Sequence, residues 1–582
     1  MKNYKKVYAA FILAGGLILH GCNGIFDDLA INPNQPSMGA YFTSPSAVND
    51  AVMTMYGYMS TQRCLGASGS KTTIIRSDEA SSNSDYGKPG MFSADLNASY
   101  YTIEQPYTLM YTTASQASYI IETAPSVDFS GNEELRNAYM GEAYFWRAFA
   151  HYYLLINFRN ISPIRQMPRN GDDYVRPLEK PAAVWNFIQE DLAHAKELLP
   201  VKGYWDSKNA GRVTKASAAA LLGKAYLYRS GIEQYYGEDK TTFYSEAAKE
   251  FGDVIDGKYG TYDLTKNYAD NFDVAHENNE ESILEFQFLG DVDNAGFNPG
   301  LATSGLAFDS RGLMLPGAGV GYEGVVHNWL YNAFVNSVDK DGYTDIRMFS
   351  TMIFNDLDAS IHLRNDAGGN PVRLEGPGGY KWEELYPAKN GKEGFATVSN
   401  PLAHSFKAGI RKGIDCSMPT QTEADGTPKL VGVGAGVKEY VYNQPRAHGV
   451  NWRYIRYADV LMMYAEAIVS GGTQASNMTP LQAVNKVRGR VNMSELPSVT
   501  MTDIQNERIL EFALEGHRFY DLLRWGKLAS RFTELQESDP NFKKFISADD
   551  FKGFVTNKHE WLPIPINEVN SNPYITENNP GY

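Results

Sequence analysis

The apolar positions between Pro181 and Pro200 repeat with the period of an α-helix. They fall at Val184, Ile188, Leu192, Ala195 and Leu199. Steps of three or four residues place these side chains on one face. A proline at the first helical position costs no hydrogen bond, and a second proline closes the segment. The pattern therefore predicts one amphipathic helix over 181–200.

Other stretches indicate further helices that pack in pairs. GRVTKASAAALLGKAYLYRSG, from Gly211, is rich in alanine and other strong helix formers, and SEAAKEFGDVI, from Ser245, is predicted to be its partner. Further pairs are predicted near Glu133 and near Tyr457. Small residues at their contacts are typical of tetratricopeptide repeats, in which two helices approach closely. The fold class predicted is mainly α, with a tetratricopeptide-like helical-repeat scaffold.

Near the C-terminus, Thr502 and Gln505 have the spacing of a capping box ahead of the sequence ERILEFALEG. Gly516 follows this sequence and is expected to end the helix.

The segment 289–451 has a different character. It is dense in glycine, proline, asparagine and aromatic residues, which predicts long loops and short strands around one helix near Val325–Val335. Residues 78–107 form a second predicted loop region. Long loops on a rigid scaffold commonly carry binding sites. The scaffold is therefore predicted to bear a large, irregular, loop-rich face with short strands.

The N-terminus has the pattern of a lipoprotein signal. Three lysines among the first six residues precede an apolar run at 7–19 that is too short to span a bilayer comfortably. Leu19-His20-Gly21-Cys22 fits a lipobox. We predict a signal peptide at 1–21, lipidation of Cys22 and a tether at 22–40; a simple cleaved signal peptide is the alternative. Lipid chains anchor a protein without spanning the membrane.

The charge balance is acidic. The chain has 53 basic and 68 acidic residues, and removal of 1–21 takes away three lysines, leaving 50 against 68, a formal charge of −18. Nucleic-acid binding needs a basic surface, so no nucleic-acid partner is predicted.

Neither the cysteines nor the aspartates form a recognisable metal site. With Cys22 lipidated, Cys64 and Cys416 remain, and the sequence leaves open whether they form one disulfide or two free thiols. DKDGYTD, from Asp339, lacks the third ligand position and the terminal glutamate of an EF-hand, so a turn is predicted there. No metal and no cofactor is predicted.

One predicted helix carries three glutamates at four-residue spacing, Glu507, Glu511 and Glu515. Side chains at this spacing are neighbours on a helix, so a pair of catalytic carboxylates is conceivable. Arginines that can pair with them, and with the further acid Asp521, lie among and after them: Arg508, Arg518 and Arg524. Ion pairing explains the pattern better, and no nucleophile with its base is evident. The protein is predicted not to be an enzyme.

Four phrases in the last quarter of the chain occur in a fixed order. They are RYADVLMMYAEA from Arg456, LQAVNKVRGRV from Leu481, IQNERILEFALEGHRFYDLLRW from Ile504, and WLPIPINEV with NPYITENNPGY over 561–582. Together they closely resemble the C-terminal signature of the SusD/RagB family of Bacteroidetes outer-membrane lipoproteins. GEAYFWRAFAHYYLL, from Gly141, also resembles a helix of this family. The resemblance implies an N-terminal helical part over 41–288 and a C-terminal part over 289–582, packed as one body.

The family resemblance also implies a function. Its members capture nutrients and work with a SusC-like TonB-dependent transporter. We therefore expect a lipid-anchored outer-membrane protein, exposed at the cell surface, that binds an oligosaccharide and acts as the lid of such a transporter. The alternatives are a peptide-capturing lid of the same architecture and a helical-repeat assembly factor without a small ligand.

Aromatic rings in the loops are the candidate sugar-binding groups. Most tryptophans lie on predicted helices or in the signature phrases, which leaves Trp205 and Trp382 in loops. The residues predicted to stack on the ligand are Trp382, Tyr322 and Tyr86. Those predicted to hydrogen-bond it are Asn83, Asn298 and Arg311. All six lie in loops, where the resembled family places its binding face.

Overall fold

The structure is a computed structural model. It describes residues 42–61, 64–65, 71–82, 92, 96–288, 308–309, 324–354, 360–364, 407–412, 430–432, 438–440, 447–448, 450–539 and 553–582.

Helices dominate the described residues. They are α1 (Pro45–Met59), α2 (Tyr101–Thr123), α3 (Glu133–Phe158), α4 (Pro181–Leu198), α5 (Lys215–Tyr236), α6 (Tyr244–Ile255), α7 (Asn328–Val335), α8 (Arg347–Thr351), α9 (Tyr457–Val469), α10 (Pro480–Arg490), α11 (Met501–Glu511), α12 (Arg518–Arg524), α13 (Leu528–Ser538) and α14 (Ile566–Ser571). No helix in these ranges combines the length and the apolar character needed to cross a membrane.

The helix predicted over 181–200 is confirmed as α4. Its apolar stripe is buried, and Pro181 occupies the start of the helix. The predicted pair that follows is confirmed as α5 and α6. Residues 78–107, predicted as loop, were interpreted wrongly in their last part, because α2 already begins at Tyr101.

Antiparallel helix pairs pack in succession, as the predicted repeat scaffold requires. α3 packs on α4, α5 on α6 and α9 on α10, while α4 also contacts α5 and α6 contacts α9. Glycines allow two of these close approaches. A Cβ atom at Gly223 in α5 would lie 2.7 Å from the ring of Phe251 in α6, and one at Gly141 in α3 would lie 2.9 Å from the Leu199 side chain. The mainly α, tetratricopeptide-like class is confirmed.

The cap of α11 lies two residues before the predicted one. Thr500 accepts from the backbone N–H of Asp503, and the Asp503 carboxylate accepts from the N–H of Thr500. The predicted box at Thr502 was wrong because an aspartate caps from the third helical position as well as a glutamate or glutamine does. The helix ends at Glu511, and Gly516, with φ of +86°, lies in the turn before α12.

Within the described residues, short antiparallel strands form four small sheets. The strands are β1 (Ala80–Ser82), β2 (Ser282–Phe286), β3 (Phe308–Asp309), β4 (Gly324–Val326), β5 (Met352–Phe354), β6 (Ala408–Ile410), β7 (Leu430–Gly432), β8 (Lys438–Tyr440), β9 (Ala447–His448) and β10 (Trp452–Arg456). One sheet has the order β1–β4–β6–β5, and the others pair β2 with β10, β3 with β9, and β7 with β8. The helix predicted at Val325 begins only at Asn328, because the two valines before it belong to β4.

Candidate ligand-binding face

The four-stranded sheet collects the ends of the long connecting segments. Ser82 at the end of β1 is the register partner of Gly324 at the start of β4. Ile410 at the end of β6 is paired with Met352 at the start of β5. Because neighbouring strands are antiparallel, the segments that begin after β1 and β6 and the segment that leads into β4 all join the same end of the sheet.

Asp78, just before β1, anchors the opposite corner of the sheet, where β1 begins and β4 ends. Its carboxylate accepts from Arg518 at 2.9 and 3.1 Å and from Arg531 at 2.6 Å. Its backbone carbonyl accepts from the indole of Trp329 at 2.5 Å. Burial raises the pKa of this carboxyl, but the two guanidinium groups outweigh burial and hold the pKa below its usual range. The corner is thus fixed by buried, charge-assisted hydrogen bonds.

His327 connects β1 to the start of α7. Its Nδ1 lies 2.7 Å from the Asp78 carbonyl oxygen, so Nδ1 carries the proton and donates. Its Nε2 then accepts from the hydroxyl of Ser81, at 2.6 Å. Burial lowers the pKa of His327, which keeps the ring neutral. The neutral ring therefore links the residue that follows β4 to β1 and to Asp78 through two hydrogen bonds, without placing a charge between the strands.

Glu79 lies beside this corner and is held in a different way. Its carboxyl accepts from the backbone N–H of Leu514 at 3.0 Å and from the hydroxyl of Ser77 at 3.1 Å. Burial raises the pKa of Glu79 to about 8. A protonated carboxyl here avoids a second buried negative charge next to Asp78.

The three glutamates of the predicted catalytic alternative are buried in ion pairs. Glu511 accepts from Arg347 at 2.9 Å, from Arg456 at 2.7 Å and from Arg490. These arginines outweigh burial and lower the pKa of Glu511. Glu507 and Glu515 are likewise buried and accept from arginine or lysine side chains. The side chains that would have to reach a substrate are therefore enclosed and paired.

The predicted pairing of these glutamates was wrong in its partners. Arg508 donates to Asp459 at 2.8 Å and to Asp521 at 2.8 Å, and Arg518 donates to Asp78. The third predicted partner, Arg524, donates to Glu466 at 2.8 and 2.6 Å and to Asp521. Proximity in sequence suggested pairs with the glutamates, whereas these arginines bind aspartates and Glu466, and Arg524 also pairs with Asp521 within α12.

The turn predicted at Asp339 is confirmed. The Asp339 carboxylate accepts from the backbone N–H of Asp341 at 2.9 Å and of Tyr343 at 3.1 Å, and it pairs with Arg364. Gly342 has φ of +86°. Across the part of the chain that the structure describes, no cluster of histidine, cysteine, aspartate and glutamate could hold a metal ion.

Cys64 is a free thiol and is fully buried. Burial raises its pKa. Its candidate partner Cys416 lies outside the described residues.

The six residues predicted to bind the ligand and the predicted lipidation site lie outside the described residues: Asn83, Tyr86, Asn298, Arg311, Tyr322, Trp382 and Cys22. The sequence interpretation missed the side chains that fix the four-stranded sheet, above all Asp78 and His327. The only signal in the sequence was a charged Asp-Glu pair directly before a run of small residues.

A helical-repeat body whose sheet collects long connecting segments defines a binding scaffold. Two family models match the chain: "SusD family" at residues 422–582 and "Starch-binding associating with outer membrane" at residues 31–227. A SusD-like protein of Bacteroides ovatus is 25% identical over 533 residues, which cover 90% of this chain and 83% of the relative. The chain belongs to the SusD/RagB family.

Solved structures have the same fold. A SusD superfamily protein from Bacteroides vulgatus superposes with a TM-score of 0.68 at 22% identity, covering 93% of this chain and all of the other. A laminarin-binding SusD-like protein superposes with a TM-score of 0.63 at 23% identity, also over 93% and 100% of the two chains.

Proposed function

We propose that this protein captures an oligosaccharide at the cell surface, anchored in the outer membrane through lipidated Cys22. It acts there as the lid of a SusC-like TonB-dependent transporter. Its action is binding and delivery, without covalent chemistry.

The register of the four-stranded sheet carries this proposal. Ser82, which precedes Asn83 in the chain, is the partner of Gly324, which follows Tyr322 by two residues. Two segments with candidate sugar-binding residues thus meet the scaffold at one corner, and the opposite corner of the same two strands is held by buried ion pairs. A rigid sheet at the points where the long segments begin and end favours a site that is formed before the ligand arrives.

The similar proteins indicate the class of ligand. One matching family model is described as starch-binding, and one structural neighbour as laminarin-binding. Sugars present apolar C–H faces to aromatic rings and hydroxyl groups to polar side chains. Tyr86, Tyr322 and Trp382 are proposed to stack on the sugar. The proposed hydrogen-bonding residues are Asn83, Asn298 and Arg311.

Affinity electrophoresis of the full chain in mild detergent, with starch, laminarin, xyloglucan and host glycans in the gel, tests capture. We expect retardation by one class of glycan. Tyr322→Ala and Trp382→Ala should each weaken it about tenfold or more, as loss of a central aromatic contact does. Tyr574→Ala is the matched control, because this tyrosine is 59% exposed and lies outside the proposed site.

Retardation that both variants retain would contradict the proposed residues but not glycan capture. If no glycan retards the protein, oligosaccharide capture is refuted. A titration with peptides would then test the peptide-capturing alternative, and the helical-repeat assembly factor would remain if peptides also fail to bind.

The anchor and the partner need separate measurements. Cys22→Ala should abolish incorporation of labelled fatty acid and release the protein from the membrane fraction. Affinity purification of the wild-type chain from native outer membranes should recover a TonB-dependent transporter in a stoichiometric amount. Recovery without a transporter would contradict the lid role and leave the binding role intact.

A further inference from the structure

A polar cleft opens on the helical side of the molecule, between the α4–α5 connection and the segment before β2. Its volume is about 240 Å³. Residues from both segments line it, among them Lys202, Trp205, Asp206, Ser207, Tyr262 and Asn278. None of these residues belongs to the four-stranded sheet described above.

One wall of the cleft is fixed around Trp205. The indole Nε1 donates to the carbonyl oxygen of Val213 at 3.2 Å. The guanidinium of Arg212 lies 4.1 Å from the centroid of the ring, at a distance typical of a cation–π contact. Arg212 is itself held by Glu142 at 2.9 Å. The aromatic wall therefore does not have to be ordered when a ligand binds.

The opposite wall is equally rigid. Asn278 has φ of +52°, and its backbone N–H donates to Glu285 at 3.1 Å. Its side-chain amide exchanges two hydrogen bonds with Gln287, at 2.9 and 3.1 Å. Gly211, with φ of +82°, allows Gln287 this position, because a Cβ atom there would lie 2.4 Å from the Gln287 side chain. Two pinned walls make the cleft a pre-formed cavity.

Hydrogen-bonding groups in the cleft retain capacity for a ligand. Asp206 uses Oδ1 to accept from the backbone of Lys208 and Asn209, at 3.2 and 3.1 Å. Within the described residues, its Oδ2 and the Ser207 hydroxyl have no protein hydrogen-bond partner. The ammonium of Lys202 donates one of its three protons to a carbonyl oxygen, at 3.1 Å, and lies 3.9 Å from the centroid of the Tyr262 ring.

The charges of the cleft favour a neutral ligand. Lys202 and Asp206 contribute opposite charges to the lining. The remaining ionic group that faces the cleft from the β2 side, Glu285, lies 3.3 Å from the guanidinium of Arg453. Neither an anion nor a cation therefore finds a net opposite charge, whereas a polyhydroxylated ring can use donors and acceptors together. The volume is below the ~300 Å³ at which drug-sized sites begin, which suits a single ring.

We propose that this cleft is a second carbohydrate subsite that takes one neutral sugar ring, against Trp205 and between Lys202 and Asp206. The inference rests on the proposed function for its ligand class. Its residues are separate, so each site can be tested without the other.

Fluorine NMR of the full chain labelled with 5-fluorotryptophan tests the subsite. The chain has eight tryptophans, and Trp205→Phe identifies the resonance of Trp205. Methyl glycosides of glucose, galactose and mannose are the probes. We expect at least one of them to shift the Trp205 resonance saturably. No shift with any of the three would overturn the proposal.

Three variants locate the effect. Ser207→Tyr fills the cleft from an exposed position and should weaken the binding of the probe about tenfold or more. Lys208→Tyr, on the next residue of the same turn but outside the lining, is the matched control and should bind normally. Asp206→Asn keeps the cap of the turn but loses a charged acceptor, so we expect binding several-fold weaker. Undiminished binding by folded Ser207→Tyr protein would place the probe elsewhere and refute the subsite.

The two proposals fail in different measurements. If no polysaccharide retards the protein but a methyl glycoside still shifts the Trp205 resonance, capture at the four-stranded sheet is refuted and the subsite in the cleft is retained. If retardation depends on Trp382 and no methyl glycoside shifts the Trp205 resonance, the subsite in the cleft is refuted and glycan capture is retained.

Discussion

Replacing Glu511 by glutamine removes one negative charge from the centre of the buried ion-pair network. The carboxylate accepts from Arg347 and Arg456, at 2.9 and 2.7 Å, and from Arg490. Glutamine has nearly the same shape, so packing is preserved. What changes is the charge balance around three buried guanidinium groups, each of which keeps at least one other acidic partner. These are Asp345 and Glu507 for Arg347, Glu281 and Glu515 for Arg456, and Glu281 for Arg490.

The size of the effect follows from these remaining partners. Removing one member of a buried ion pair costs about 3–5 kcal/mol. Because every arginine keeps another carboxylate, we expect the lower end, a loss of about 3 kcal/mol in the free energy of unfolding. At about 2.1 cal/mol/K per residue, a chain of 582 residues has an unfolding entropy of roughly 1.2 kcal/mol/K. The variant should therefore melt about 2–3 °C below the wild type.

The pH dependence gives a second measure of the same interaction. The pKa of Glu511 is lowered in the folded state, so its stabilisation is fully present above its ordinary value of 4.5 and is lost as the pH falls through the folded pKa. The difference in melting temperature between wild type and Glu511→Gln should be largest near neutral pH and shrink in acid below about 4.5.

Thermal unfolding followed by circular dichroism across this pH range is the assay. Glu495→Gln is the matched control, because Glu495 is exposed. Equal melting temperatures for the two variants at pH 7 would refute the argument that the network is a stabilising centre. A difference that grows in acid would refute the assigned sign.

Three further predictions concern stability and reactivity. Gly223→Val should lower the free energy of unfolding by about 1–3 kcal/mol, measured by urea denaturation, because the new side chain meets the ring of Phe251. A variant as stable as the wild type would contradict the close packing of α5 on α6. Asp78→Asn should cost about 3 kcal/mol by leaving Arg518 with a neutral partner, and a loss below about 1 kcal/mol would contradict its anchoring role. Cys64 should react with maleimide only after unfolding, since it is buried and its pKa is raised; peptide mapping that finds it labelled in the native protein would contradict this.

Sequence periodicity predicted the helices well, because an amphipathic helix is specified by residues three and four apart. The stripe from Val184 to Leu199 became the buried face of α4. Errors of two or three residues occurred at helix starts, as at Thr500 and Asn328, where more than one residue has the chemistry of a cap or a turn. The C-terminal phrases identified the family, because four phrases in a fixed order are a far more specific signal than any one of them.

The candidate site was less accessible to such reasoning. Its residues were selected by type and by their place in loops, and neither property states which segments meet. The pairing of Ser82 with Gly324 joins positions that are far apart in the chain. No local pattern specifies that pairing, because a strand of three residues carries too little information to select its partner.

The sequence by itself determined the helical-repeat scaffold, the acidic charge and the family. The tertiary structure alone decided which charges pair: Glu511 with Arg347 and Arg456, Asp78 with Arg518, and neither with its neighbours in sequence. It also decided that a polar cleft opens beside Trp205. The physical reason is that helix periodicity depends on the nearest turns of the chain, whereas buried ion pairs and cavities depend on residues that only folding brings within a few ångströms.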